Sequence, residues 1–220
     1  MGVIGRRERK KLATRTALRE AALRLALRDG VEHVTVEQIA TEADIALRTF
    51  FNYFSSKEEA VVAAAAAGAE ALIAEFRARP AGESVLRALR QAVLAVLDHD
   101  DTISRDYLRA IQLIRRTPSL RPHELAVLAA QEKALAGAIT ERLSPAPAGI
   151  YPDLCAATAL TALRVVLSRW LEHAGGPDET PPMTILRAEF DQAIAALAAG
   201  LDRPGTADPA DPDREAGSGQ

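Results

Sequence analysis

The stretch Thr35–Lys57, TVEQIATEADIALRTFFNYFSSK, restricts the fold more than any other part of this 220-residue chain. Val36, Ile39, Ala40 and Ala43 recur at the spacing of one apolar helix face. Thr35 stands just ahead of that run, where its hydroxyl can cap the first free N–H groups. Leu47, Phe50, Phe51 and Phe54 repeat the spacing, and only Asp44, Ile45 and Ala46 lie between the two runs. So short a connection holds two helices at a steep angle, the helix-turn-helix arrangement whose second helix can enter the major groove of DNA. Ser55 and Ser56 then cap a further helix with Glu58 and Glu59 in its first turn.

The segments T-V-E-Q-I-A, T-F-F-N-Y-F and S-S-K-E-E resemble the DNA-binding domain of the TetR family of bacterial transcriptional regulators, over roughly residues 10–60. Two positions depart from that family. Asp44 stands where the turn usually carries Gly, and Asp tolerates the left-handed backbone better than most residues. Ala46 stands where a small hydroxyl residue often caps the recognition helix, so a cap is lost. The resemblance puts Leu47, Arg48, Thr49, Phe51, Asn52 and Tyr53 on the DNA-facing side and Phe50 and Phe54 in the core. Thr35 and Val36, at the start of the preceding helix, join the DNA-facing set. Arg48 is expected to fork onto a guanine edge, with Thr49 or Asn52 reaching bases or phosphates. Tyr53 and Lys57 suit phosphate oxygens, and Arg6, Arg7 and Lys10 are further backbone candidates. The bland alternative is that Arg48 and Asn52 are simply exposed polar side chains.

Charge agrees with a DNA-binding head. Residues 1–28 hold nine Lys and Arg against Glu8 and Glu20, or +7, and the whole-chain −3 leaves −10 for the remaining 192 residues. A basic end on an acidic body is what such a head on a non-DNA-binding body shows, although a basic run is by itself only a solvated helix face. One cysteine, Cys155, excludes an internal disulfide framework and fits a reducing cytoplasm, where a regulator would associate with the nucleoid. It reads as a small buried hydrophobe rather than a nucleophile. No signal peptide is evident, and apolar runs are expected to be broken by charge before they reach membrane-spanning length. His33, His99, His123 and His173 lack metal-ligand spacing, and no phosphate loop or nucleophile elbow appears. No catalysis, metal or cofactor is therefore expected.

The rest of the chain reads as all-helical, with no run that argues a sheet. A first helix is expected from about Arg6 to Arg28, stopped by Gly30. Beyond the motif, helices are expected over 57–79, 83–99, 102–116, 122–143, 152–173 and 183–201. This divides the chain into a DNA-binding domain (1–56), an effector-binding and dimerisation domain (57–201, with 57–79 connecting) and a disordered tail (202–220). A-G-E-S-V-L-R-A-L-R, L-I-R-R-T-P-S-L-R and A-L-A-G-A-I-T-E-R-L resemble the effector domain of TetR members such as the mycofactocin regulator. That implies a small apolar, acyl-CoA-like effector. The expected pocket residues are Leu89, Val93, Tyr107, Ile111, Leu128, Glu132, Thr161 and Arg164.

Glu132 is the anomaly. It falls in line with Leu125, Leu128, Leu135 and Ile139, so its carboxylate points inward and needs a ligand or a partner such as Arg164. Tyr107 reads more often as core than as a pocket residue, and Thr161, Arg164 and Ser168 form a polar strip that is either a pocket wall or a dimer edge. TetR-like proteins are usually homodimers joined through their last two helices, which here nominates Leu160, Leu163, Leu167, Trp170, Phe190, Ile194 and Leu197. The functional expectation is a homodimeric repressor released from a palindromic double-stranded operator by its effector. An activator, an architectural DNA binder and a helical enzyme are the alternatives.

Overall fold

The structure, a computed structural model, describes residues 5–99, 101–143, 149–173 and 181–201, excluding the side chains of 99 and 101–107. The expected tail at 202–220 lies outside them, as does the side chain of Tyr107. Among the described residues there are helices and no strands. They are α1 (Arg6–Asp29), α2 (Val36–Glu42), α3 (Leu47–Phe50), α4 (Lys57–Ala78), α5 (Val85–His99), α6 (Asp101–Arg116), α7 (Arg121–Arg142), α8 (Tyr151–Glu172) and α9 (Met183–Ala199). Short 3-10 turns stand at Val31–His33 and Pro118–Leu120.

The caps of the head are the ones its sequence asks for. Gly30 ends α1 at φ 83°, a conformation costly to any residue with a Cβ. Thr35 opens α2 with a reciprocal capping box: its hydroxyl accepts from Gln38 N at 3.2 Å, and its own N–H donates to Gln38 Oε1 at 2.8 Å. Asp44 carries the turn in the left-handed region at φ 54°. Ser56 caps α4 through Glu59 N at 3.1 Å, while Glu59 accepts from Ser55 N at 2.7 Å.

The head's core is closed from both sides of the domain boundary. Leu18, Ala22, Ile39, Phe50 and Phe54 pack with Ala60–Ala63 of α4 and with Ile114 and Leu120 of the second domain. α4 is the hub, packing on α1, α5, α6 and α7. Glu70 of α4 takes Arg15 and Arg19 of α1 at 2.9 and 3.0 Å. At its other end, Arg142 of α7 donates to the carbonyls of Arg79, Pro80 and Glu83 and stacks over Phe76 at 5.3 Å. The α4–α5 connection is thereby tied to the end of α7. α5 and α9 are joined by a two-pronged pair, Arg90 with Asp191, at 2.7 and 2.8 Å.

Two expectations are corrected here, on α7 and α8, while the division expected for the second helix of the motif is observed: Phe50 and Phe54 are buried, at 0 and 2 %, and Leu47 and Phe51 face solvent. The reason is that α3 is four residues long and its chain closes through i→i+3 bonds from Asn52 and Tyr53, so burial follows the two rings that reach α1 and α4. Leu125 of α7 is 65 % exposed, because the neighbouring helices cover that face only in the C-terminal half, at Leu135 and Ile139. Finally, α8 does reach membrane-spanning length and hydropathy. It carries Arg164 and Arg169, and its inner face packs against α7 and α9, which is the setting of a bundle helix.

Candidate nucleic-acid interface and internal cavity

α3 presents one exposed face. Leu47, Arg48, Phe51 and Asn52 are exposed and Thr49 and Tyr53 half-buried, with Phe50 and Phe54 anchoring the opposite side. Arg48 makes no ion pair among the described residues, so its guanidinium fork is available for a base edge. Ala46, at the N-cap of α3, makes no side-chain bond. The first N–H groups of this helix therefore remain open to an acceptor from outside. Thr35 is exposed with its hydroxyl committed to the cap, and Val36 is half-buried beneath it. Arg6, Arg7 and Lys10 are exposed on α1.

Lys57 departs from its expected role. Its ammonium donates to Val34 O at 2.9 Å and Glu32 O at 3.3 Å, pinning the turn ahead of α2 to the start of α4. Two of its three donors are thus spent inside the head, which makes it a structural lysine before a phosphate contact. Sequence could have hinted at this: a cation at the first position of a helix opposes the macrodipole and needs acceptors nearby.

The second domain holds two adjoining cavities. An inner chamber of about 50 Å³ is walled, among the described residues, by apolar ones, including Gly68, Leu72, Val93, Val96, Leu108 and Phe190. An outer cleft of about 440 Å³ runs between α4, α6, α7 and α8 over Val62, Ala65, Ile111 and Leu160. Arg115, Arg121, Arg164 and Arg169 stand around that cleft, and among the described lining residues Glu124 is the one carboxylate. Arg115 donates to Ser168 O at 3.4 Å, Arg121 pairs with Glu124 at 3.3 Å and Arg169 with Glu189 at 3.7 Å. Arg164 is exposed and takes no ion-pair partner among the described residues.

Of the expected pocket residues, Val93 lines the inner chamber, and Ile111, Leu128 and Arg164 line the outer cleft. Leu89 is sealed in the core at 3 % exposure, and Thr161 is exposed away from both cavities. Glu132 is half-buried, outside both linings, and forms no ion pair with Arg164. It lies on the part of α7 whose inner face is thinly covered, so water reaches it and no inward charge has to be compensated. Gln131, one residue earlier, is the polar side chain that reaches the cleft. Ser168 lines it as well, which makes the polar strip of α8 a wall for two of its three members.

The nominated dimer residues divide in the same way. Leu160, Leu167, Trp170 and Phe190 are 8, 5, 0 and 3 % exposed, buried within the protomer and unable to face a partner. The Trp170 indole N–H donates to Pro182 O at 3.0 Å, joining the end of α8 to the start of α9. Leu163, Ile194 and Leu197 are half-buried. The uncovered stripe of α8 is instead Tyr151, Leu154 and Val165, 47, 58 and 51 % exposed, aligned with Thr158 and Ala162. Periodicity showed an apolar helix but could not tell which side its own chain would cover. Burial pushes the Cys155 thiol up, which keeps it protonated and unreactive.

Residues 18–64 match the family model described as bacterial regulatory proteins of the tetR family, and residues 83–202 match the one described as the MftR C-terminal domain. The chain is 40 % identical over 122 residues to the HTH-type transcriptional regulator TcmR of Streptomyces glaucescens, covering 53 % of this chain and 54 % of that protein. It thus spans about half of that relative's length. It is 27 % identical over 199 residues to the candidate mycofactocin biosynthesis transcriptional regulator MftR of Mycobacterium tuberculosis, covering 89 % and 94 %. The repressor FadR of Thermus thermophilus, solved with lauroyl-CoA, shares the fold at a TM-score of 0.55 and 22 % identity, over 88 % of this chain and 98 % of that one.

Proposed function

The chain belongs to the TetR family and is a DNA-binding transcriptional regulator rather than an enzyme, and from that premise we propose that it is a cytoplasmic, homodimeric repressor released from a palindromic operator by an elongated, largely apolar effector. One observation carries the reading. The helix that closes the head's core with Ala60–Ala63 also walls the cavities with Ala65, Gly68, Ala69 and Leu72. A molecule that fills the cavity bears on the same rigid rod that positions α3. Release then requires that the effector bind the DNA-incompetent head spacing more tightly than the competent one. An apolar interior behind an arginine rim suits a tail with an anionic head, and acyl-CoA thioesters, the class seen in FadR, are the first probes. Two copies joined through the uncovered stripe of α8 would set two α3 helices on successive major grooves.

The test uses a duplex selected by the protein from a random library and an unselected duplex of equal length. Binding to both should weaken steeply with salt, because neutralised phosphates release counterions. Arg48→Ala should cost about 1–3 kcal/mol on the selected duplex and little on the other. Equal losses on the two would remove Arg48 as a base reader. An effector should lower affinity for the selected duplex; a rise in affinity would make the protein a co-repressor or activator instead.

A further inference from the structure

We infer that Leu163 of α8 is the partition between the two cavities and sets how long an apolar tail the domain accepts. The inference rests on the effector reading above and adds its specificity determinant. Leu163 and Leu167 are the two side chains that line both the outer cleft and the inner chamber. Leu167 is buried in the core at 5 % exposure, whereas Leu163 is half-buried. Of the two side chains shared by the two spaces, Leu163 is therefore the less confined by its neighbours.

The chemistry differs on the two sides of that partition. Among the described residues the arginines, including Arg164 with no ion-pair partner there, line the outer cleft and not the inner chamber. Among the described residues no polar side chain lines the inner chamber, so these residues offer water no side-chain partner and the space suits hydrocarbon. At about 50 Å³ it holds only a few atoms while Leu163 stays in place. An amphipathic anion therefore binds head outward, at the arginines, and tail inward. A short tail ends in the outer cleft and leaves Leu163 undisturbed. A longer one displaces Leu163 and enters the inner chamber, gaining about fourfold in affinity for each methylene removed from water, until the chamber is full.

The experiment measures dissociation constants of the full chain for two homologous series, n-alkanoates and the matching n-acyl coenzyme A thioesters, by calorimetry. In the parent protein, affinity should climb about fourfold per methylene and then level at a defined chain length. Val96→Phe narrows the inner chamber from its far side and should move that limit to shorter chains, leaving the shortest members within about twofold. Leu163→Phe should do the same from the near side, and Leu163→Ala should raise the affinity of the longest members. Arg164→Gln should weaken every chain length by one common factor, since it touches only the head. Cooperative unfolding and retained DNA binding certify each variant, and if Leu163→Phe does not fold, Val96→Phe and Leu163→Ala suffice. An unchanged limit in both of those variants overturns the partition while leaving the effector reading intact. Failure of both series to bind the parent at any length overturns the effector reading, and the partition with it.

Discussion

Asp44 and Lys57 show how much of the head is decided by single backbone demands. Asp44 holds φ 54° between α2 and α3, a conformation that costs a residue with a branched Cβ about 1–2 kcal/mol. Asp44→Val should therefore lower stability by that amount in a denaturant titration, and Asp44→Gly should not. Lys57 is a test of assignment. If its ammonium serves the carbonyls of Glu32 and Val34, Lys57→Met should cost about 1–2 kcal/mol of stability and leave the slope of log K against log salt unchanged. A slope smaller by about one would show that the third donor neutralises a phosphate. Arg48 has neither kind of structural work, which leaves its chemistry available for DNA.

At the scale of elements, boundaries were legible and coverage was not. The helices expected over 57–79, 122–143 and 152–173 are observed as Lys57–Ala78, Arg121–Arg142 and Tyr151–Glu172. Their ends are written locally, in the Ser56 cap, in Pro80 and Pro122, and in the Pro and Gly residues between α7 and α8. The exposed side of α3 was legible for a similar reason, since the motif is contiguous. The cavity is assembled from α4, α5, α6, α7, α8 and α9, and no local pattern reports which faces those elements leave open. Glu132 and Leu125 illustrate the failure: helical spacing aligned them with Leu135 and Ile139, but the covering helices stop short of them. The Arg90–Asp191 pair between α5 and α9 was also invisible, its partners being 101 residues apart. Hydrogen bonds from Arg90 hold the Asp191 carboxyl below the usual carboxylate range. The folded chain thus takes up that proton less readily than the unfolded one. The pair's contribution is full above the ordinary carboxylate range and is lost as pH falls through the lower folded value. Both side chains are about a third or more exposed, so solvent screens them. Asp191→Asn should lower the melting temperature near neutrality by about 1–4 °C and flatten its decline in acid.

For the whole molecule, the uncovered stripe of α8 makes the quaternary prediction a sharp one. Leu154→Glu or Val165→Glu should yield a folded monomer by sedimentation, because those side chains face outward. Leu167→Glu should instead unfold the protein, since it places a charge in the core at 5 % exposure. Folded dimers in the first two variants would move the interface elsewhere. One further property follows from the joint between α8 and α9. The chain has a single tryptophan, and it is the wholly buried Trp170, hydrogen-bonded to Pro182 and one helical turn from Leu167. Its emission is thus a label built into the molecule, free of background from any other indole. It is set where cavity, bundle and helix joint meet, so occupancy of the chamber and opening of the joint can be followed optically in the unmodified protein.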